Sequence, residues 1–424
     1  MPGADIVSAI PVDEPKTSRT CNRAHEVAEK NRRILIIVEN LTVPIDRRVW
    51  QEATALRDAG YVVSIICPVG GDHTARYELL EGIHVFRHPI PYDASTPAGY
   101  IVEYLSALFW EFVLAWRILF KPGFDVIQAC NPPDTIVFIG LFFKLFFRKK
   151  FVFDQHDLTP ELYPIKFGRE GLVHRVLLLL ERLTFAVADV SIATNGTFKK
   201  IAVERGGMRP ERVFIVQSTP DISRFKRRPA DRKLRNGRKQ VVGYVGIMAE
   251  QDGVDLLLKA MEYLVTQSPA RDIQCLIVGS GPQLENLQRL ARDLDLDDHV
   301  TFTGYLSGEN LLRALSTFDV GVIPDPKNNY NDKVSMNKVF EYMALGIPFV
   351  QFDLTENMKI SGDVSLYATN NDPVELARKI EDLLDNPSLR KEKADAGMIR
   401  LADVANWAKQ EEQLLAAYNS VFKK

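Results

Sequence analysis

The chain is most constrained by a rhythm that runs through it twice. Short apolar runs alternate with longer stretches of helical spacing, and the alternation breaks near the middle and restarts. In the first half the spacing predicts strands at Ile34–Val38, Val62–Cys67, His84–Arg87, Asp125–Ala129, Phe151–Phe153, Val190–Ala193 and Val213–Val216. Helical patterns lie between most of them, among them Arg48–Ala59 and Leu172–Ala188. In the second half strands are expected at Val241–Val245, Gln274–Val278, Val300–Thr303, Val320–Ile323 and Phe349–Phe352. Helices are expected there at Val254–Leu264, Pro282–Leu294, Asn310–Ser316, Asn337–Leu345, Pro373–Leu384 and Ala402–Phe422. Strands apolar on both faces and alternating with helices belong to parallel sheets covered on both sides. The expected fold class is α/β, with two Rossmann-like domains facing a central cleft. The loops at the C-terminal ends of the strands would line that cleft.

A chain of 424 residues is too long for one ordinary core and suits two. Residues 1–31 are polar, mixed in charge and without an apolar h-region, so they read as a disordered leader and not a signal peptide. The first domain is expected over 32–222, a basic linker over 223–240 and the second domain over 241–400. A C-terminal helix over 401–424 would pack back toward the first domain. The linker sequence RFKRRPADRKLRNGRK carries one aromatic, Phe225, and has no nucleic-acid fold beside it, so it reads as an exposed connection. A net charge of −2 likewise offers no global attraction for nucleic acid.

The four cysteines, Cys21, Cys67, Cys130 and Cys275, are scattered, which excludes a zinc or disulfide framework from the expectation. Asp293, Asp295 and Asp297 alternate with leucines as in a metal-binding DxD. They end a helix just before a strand, on the edge away from a crevice, and read as a solvated terminus. No metal and no cofactor are expected. Two stretches come near to membrane character: Tyr104–Phe120, which contains Glu111 and Arg117, and Ile136–Phe147, broken by Lys144 and followed by Arg148, Lys149 and Lys150. Both are too short and too charged to span a bilayer. They read either as helices packed on the sheet or as a surface dipping into the bilayer interface, and different faces can do each.

Residues 331–346, NDKVSMNKVFEYMALG, carry the chemistry. A polar loop between two buried-strand patterns opens into a helix with Ser335, Asn337, Lys338 and Glu341 near its start. A helix start presents unpaired N–H groups and a partial positive charge to the ligand crevice. Lys338 adds charge for phosphate, and Glu341, one turn on, can accept two hydroxyl hydrogen bonds from a ribose. Val278-Gly279-Ser280-Gly281-Pro282 lacks the third glycine of a dinucleotide loop and reads as a turn with Pro282 at the first helical position. Asp154–Glu161 crowds polar groups at a strand end. There His156 can bond a sugar hydroxyl or a developing charge, with Asp157 holding its ring. Asp46 reads as a helix N-cap, and Arg47 and Arg48 either meet a cleft ligand or are solvated helix-start charges. Glu356, in Asp353–Asn357, either belongs to a donor site or caps the next helix.

These pieces, in this order, resemble a retaining glycosyltransferase of the GT-B fold, family 4 type (glycosyl transferases group 1). The resemblance runs from about Arg33 to Tyr418. It rests on DRRVxxEAxxLxxxGY (Asp46 to Tyr61), FDQHDLxPELY (Phe153 to Tyr163), ATN (Ala193 to Asn195), GYVGIMAEQDGVD (Gly243 to Asp255), VGSGP, TFTGYL (Thr301 to Leu306) and MNKVFEYMALGIPFV. It implies that Glu341 binds the nucleotide ribose as the second of the family's paired glutamates. It implies that backbone amides at Val334, Ser335 and Met336 hold the β-phosphate and sugar, with Lys338 reinforcing them. Tyr305 and Leu306 would lie near the nucleobase, Gly246 under the diphosphate and His156 near the sugar. The pattern departs at Lys333, where the family has its first glutamate, with Asp332 one residue earlier. It departs also at Ile247 and Asp252, at Ser218-Thr219, and at Met358.

The implied function is metal-independent transfer of a sugar from a nucleotide-diphosphate donor, a UDP-sugar by preference, to a saccharide acceptor. The acceptor is expected to be lipid-linked, in bacterial cell-surface or exopolysaccharide assembly. The protein would be cytoplasmic, with peripheral contact to the inner face of the plasma membrane. Donor binding is assigned to Gly246, Tyr305, Leu306, Lys333, Val334, Ser335, Met336 and Glu356, and catalysis to His156, Lys338 and Glu341. The acceptor is assigned to Asp46, Arg47, Arg48 and Asp157. Two other readings stay open: a nucleotide-sugar epimerase of the same architecture, and a non-catalytic relative acting as a partner or scaffold.

Overall fold

The computed structural model describes residues 32–89, 97–168, 170–219, 225–268, 271–404 and 406–423. The expected leader lies outside the described residues. The first sheet holds β1 (Arg33–Val38), β2 (Val62–Pro68), β3 (Tyr77–Leu80), β4 (Ile83–His88), β5 (Val126–Cys130), β6 (Lys150–Gln155), β7 (Val190–Ala193) and β8 (Val213–Ile215). Their order is β3-β4-β2-β1-β5-β6-β7-β8, parallel throughout except for β3. The second sheet holds β9 (Gln240–Val245), β10 (Ile273–Val278), β11 (Val300–Gly304), β12 (Val320–Ile323), β13 (Phe349–Phe352) and β14 (Leu366–Ala368), all parallel in the order β11-β10-β9-β12-β13-β14. Every expected strand is present to within two residues, and the fold is the two-domain α/β arrangement read from the sequence.

Each sheet reverses its strand order once, between β1 and β5 in the first and between β9 and β12 in the second. Such switch points leave a crevice beyond the strand C-termini, because the adjoining loops diverge to opposite faces. The segments after β1, β6, β7, β12 and β13 carry the groups that meet between the domains.

Two helices, Arg47–Asp58 and Trp407–Phe422, cover one face of the first sheet. Leu414, Ala417, Tyr418 and Val421 join the core formed with Ile34, Ile36 and Val63, and the Tyr418 hydroxyl donates to Gln128. The C-terminal helix thus packs on the first domain as expected, but not as one helix from Ala402. The chain ends a helix of the second domain, Pro387–Val404, and restarts at Asn406, whose side chain caps the new helix by accepting from Ala408 N–H at 3.0 Å. The basic segment is mostly exposed, as read, but it is tethered to the second domain. Phe225 is buried in the second core, Arg235 pairs with Asp319 at 2.7 Å and Arg228 with Glu309 at 3.0 Å. It lies along the second domain instead of running free in solvent; residues 223 and 224 fall outside the described residues. The other face of the first sheet carries the helices Pro97–Phe120, Val137–Phe147 and Leu172–Val187. Among the described residues no helix is long and apolar enough to cross a membrane.

Candidate active site in the interdomain cleft

The second domain's wall is built on the chain leaving β12. The helix Asn337–Ala344 is anchored by Val339, Phe340, Tyr342 and Met343, all buried, which fixes its start at the cleft. Met336 stands at its N-cap and supplies no capping side chain. The first-turn amides of Asn337 and Lys338 are thereby left for an incoming acceptor. Of the three loop amides expected to hold a phosphate, two are already committed. Val334 N–H donates to the Asn331 carbonyl at 3.3 Å and Met336 N–H to Asn357 Oδ1 at 3.0 Å. These bonds shape the loop, so the donor set shifts to Ser335, Asn337 and Lys338. The Lys338 ammonium is also less available than expected. It is buried against Asp325 at 3.1 Å and Asp252 at 3.6 Å and lies 5.0 Å from the Tyr244 ring centre. Burial works against its charge, but Asp325 outweighs that and raises its pKa well above the usual value. Its proton stays, and its charge is largely balanced.

Gly246 and Gly279 let two loops cross beneath this helix start. A Cβ on Gly279 (φ +138°) would sit 1.9 Å from the Gly246 carbonyl oxygen, and one on Gly246 (φ +154°) 2.8 Å from the Tyr244 hydroxyl. The glycines serve close approach between loops; Pro282 is not at the first helical position, because that helix begins at Leu284. Tyr305 is 68% exposed beyond β11, and Leu306 packs partly onto the second core. Asp332 accepts from Thr355 N–H (2.7 Å) and Thr355 Oγ1 (2.9 Å), so it fixes the neighbouring loop. Glu356 is buried, paired with Lys359 and bonded by Thr197 of the first domain.

On the opposite wall His156 Nε2 lies 2.6 Å from Asp154 Oδ2. Asp154 therefore holds the ring, and Asp157 does not: the Asp157 carboxylate instead accepts from the Tyr330 hydroxyl of the second domain. Asp154 also pairs with Arg48 at 2.8 Å, and Arg48 reaches Glu52 (3.0 Å), the Val216 carbonyl (2.8 Å) and Ser218 (3.1 Å). Arg48 is thus a tie between strand ends, and it also lines the small space beside Ser218 and Glu341. Burial pushes Asp154 upward, but Arg48 and His156 outweigh it and hold the carboxyl well below its usual range. Burial pushes Glu52 up to about 8. His156 is lowered by burial and raised more by Asp154, so its pKa ends above the usual imidazole value. Cys130, Asp154 and His156 are close enough to share a metal ion. The Arg48 guanidinium on Asp154 already supplies the cation there, and burial keeps the Cys130 thiol protonated. Asp46 accepts from Val49 N–H at 3.0 Å as the expected N-cap.

Among the described residues, polar groups link the two walls at five places. Besides Tyr330–Asp157 and Thr197–Glu356, Lys333 Nζ meets Glu161 at 2.9 Å. Asn195 Nδ2 donates to the Lys333 carbonyl (2.9 Å) and Ser335 Oγ (3.0 Å), and Arg47 pairs with Glu341 at 3.0 Å. Between Arg47, Ser218, Asn337 and Glu341 lies a space of about 60 Å³, room for a few waters. A second cavity of about 620 Å³ opens beside Glu356, between Asn195, Gln217, Lys359 and Lys409. Glu161, Asn195, Thr197 and Tyr330 received no role from the sequence. Their partners across the cleft lie more than a hundred residues away, beyond the reach of local pattern.

Two parallel-sheet domains with a phosphate-type helix start on one wall and a charged histidine network on the other define a GT-B protein. The solved structures agree. Sucrose-phosphate synthase from Thermosynechococcus elongatus superposes with a TM-score of 0.73 at 19% identity, covering 92% of this chain and 99% of that one. HepE of Anabaena, in complex with UDP and glucose, gives 0.69 at 18%, covering 91% and 99%. Residues 45–218 match the glycosyl transferase 4-like domain and residues 239–386 the glycosyl transferases group 1 model, and the chain belongs to that family. Among curated relatives it is 28% identical to a 2-deoxystreptamine glucosyltransferase of Streptomyces kanamyceticus over 55% of this chain. It is 26% identical to a D-inositol 3-phosphate glycosyltransferase of Nocardia farcinica over 57%. The matches span 61% and 54% of those relatives' own lengths.

Proposed function

We propose that the protein transfers a sugar, with retention of anomeric configuration, from a nucleotide-diphosphate donor to a saccharide acceptor. The observation that carries this reading is the uncapped helix start at Ser335–Lys338, with Glu341 one turn on, facing the His156–Asp154 pair across the cleft. The amides of Ser335, Asn337 and Lys338 would stabilise the leaving diphosphate. Fixed donors in a water-poor site contribute roughly several kcal/mol to such a step. Lys338, already balanced by Asp325 and Asp252, would orient the loop more than add charge. The acceptor hydroxyl attacks on the face the diphosphate leaves, and a donor phosphate oxygen takes its proton, so neither a carboxylate pair nor a metal is required. His156 bonds the transferring sugar. Glu341 takes the ribose hydroxyls once Arg47 moves off it, which makes opening and closing of the cleft part of the cycle.

A uridine donor heads the candidates because a protein of the same fold, HepE, was solved with UDP and glucose. The acceptor side is proposed as a lipid-linked saccharide in cell-surface or exopolysaccharide assembly at the inner face of the membrane. Calorimetry against UDP-, GDP- and ADP-sugars, followed by transfer assays on Glu341→Ala and His156→Ala, tests the reading. The expected result is binding of one nucleotide class, weakened in the first variant and retained without transfer in the second. Unimpaired transfer in both variants would overturn the site assignment.

A further inference from the structure

We propose that the outer surface of the helices Pro97–Phe120, Val137–Phe147 and Leu172–Val187 is a docking face for an anionic lipid bilayer. Fifteen of the 24 large hydrophobic side chains exposed among the described residues lie on these three helices. Phe109, Phe120, Leu145, Phe146, Leu172 and Leu179 are each more than 60% exposed. The surface is continuous: Trp116 contacts Phe142 at 5.9 Å and Phe147 at 5.4 Å between ring centres, and the second and third helices pack side by side. Apolar surface on this scale marks an interaction site on a protein that is otherwise well packed.

Charge decides what covers it. Arg117, Lys121, Arg148, Lys150, Arg175 and Arg182 are exposed on these helices and the turns that follow them. The acidic groups are turned away or matched: Glu111 and Glu181 are buried, Glu103 is half-buried, and Asp189 pairs with Lys144 at 3.0 Å and Lys150 at 3.6 Å. Glu170, just before the third helix, is the exposed exception. A two-fold pairing of this face with a second copy would set cations against cations. An anionic headgroup layer over apolar chains complements both features at once. The helices cannot stand across the bilayer, because Ala115, Ile118, Val137, Phe143 and Phe185 hold their inner sides on the sheet. They would lie in the interface plane, with Trp110 and Trp116 at headgroup depth. The third helix also reaches the cleft: its Glu181 binds Arg205 at 2.6 Å, and Arg205 binds Glu161, the partner of Lys333.

This inference stands on exposure and charge and does not rest on the transferase reading. Its test reads membrane binding alone, with the full chain and vesicles of phosphatidylcholine containing about one-third phosphatidylglycerol. The wild type is expected to float with these vesicles, to float poorly with phosphatidylcholine alone, and to be released by salt. Brominated lipid should quench its tryptophan fluorescence, and quenching should vanish in W110F/W116F, which keeps Trp50 and Trp407 on the opposite face. The L145E/F146E variant changes only exposed positions, and it should lose binding by about tenfold or more while melting like the wild type. Flotation of that variant at the wild-type level would overturn the inference. So would a concentration-dependent dimer that the variant dissolves, with no vesicle binding by either protein.

Discussion

The two walls of the cleft reach the same line of contact by opposite means. The second domain offers backbone: amides at a helix start, two glycines that let loops cross, and a lysine whose charge is balanced by Asp325 and Asp252. The first domain offers side chains: Arg48, Glu52, Asp154 and His156, tied together, with both carboxylates fully buried. Backbone donors do not titrate, whereas several buried acids of the first domain are displaced toward neutrality, Glu39 and Asp134 to about 7 and Glu52 and Glu111 to about 8, each chiefly by burial. If the amides hold the ligand as proposed, binding should be even across neutral pH, while the domain facing them should change with pH. Each of the following variants strains one side of that contrast.

The largest effect is expected from Asp154→Asn. It leaves the Arg48 guanidinium buried with its principal partner neutralised, a loss of about 3–5 kcal/mol in comparable buried pairs. Denaturant unfolding should show the loss. An NMR titration should show His156 falling back below its present value, since Asp154 is what raises it. Next is Glu111→Gln. In the folded protein Glu111 keeps its proton up to about pH 8, while the unfolded chain releases it near the ordinary carboxylate value. Between those limits the unfolded state binds fewer protons, so stability falls as pH rises from about 4.5 to about 8. At pH 7 the contribution is on the order of 3 kcal/mol. The glutamine variant should flatten that slope in melts taken from pH 5 to 8, and an unchanged slope would assign it to Glu39 or Asp134.

On the second domain's wall, Glu341→Ala removes a carboxylate able to accept two hydroxyl hydrogen bonds. Bonds to charged groups are worth about 1.5–3 kcal/mol each, so donor affinity should fall about a hundredfold or more. Thermal stability should barely move, because its present partner Arg47 is 64% exposed. If affinity holds while turnover falls, the division between walls is wrong.

Much of this was legible in the sequence, for a physical reason. Strands buried on both faces announce themselves as apolar runs, and ten of the twelve expected strands form the interiors of the two sheets. The two strands missed are edges. β14 is three residues long, and β3 alternates exposed and half-buried positions. Its hairpin turn, Glu81-Gly82 with positive φ at both residues, was a usable signal. The outline of the second domain's wall was legible because its helix start and Glu341 are neighbours in sequence. The opposite wall misled at Asp157. Successive side chains of an extended segment point to opposite sides, so Asp154, two residues before His156, shares its side and Asp157 does not. That period was available from the sequence. The pairs Tyr330–Asp157 and Lys333–Glu161 were not, since their members stand 173 and 172 residues apart.

Lys333 is the residue where the walls trade roles, a second-domain side chain completing a first-domain network. Its carbonyl accepts from Asn195 and its ammonium from the second wall reaches Glu161, which Arg205 also holds at 2.7 Å. Removing the ammonium therefore leaves Glu161 paired, and no buried charge is orphaned. The pair is partly exposed, which places its worth at about 1 kcal/mol or less. Lys333→Met should leave the melting temperature nearly unchanged and shift the balance of open and closed cleft by no more than about fivefold. Fluorescence energy transfer between labels on the two domains would read that shift. Lys333→Glu brings a second carboxylate against Glu161, so it should open the cleft further than methionine does. Equal opening in the two variants would mean that Lys333 holds the domains through its backbone and through Asn195, and that its charge contributes nothing to closure.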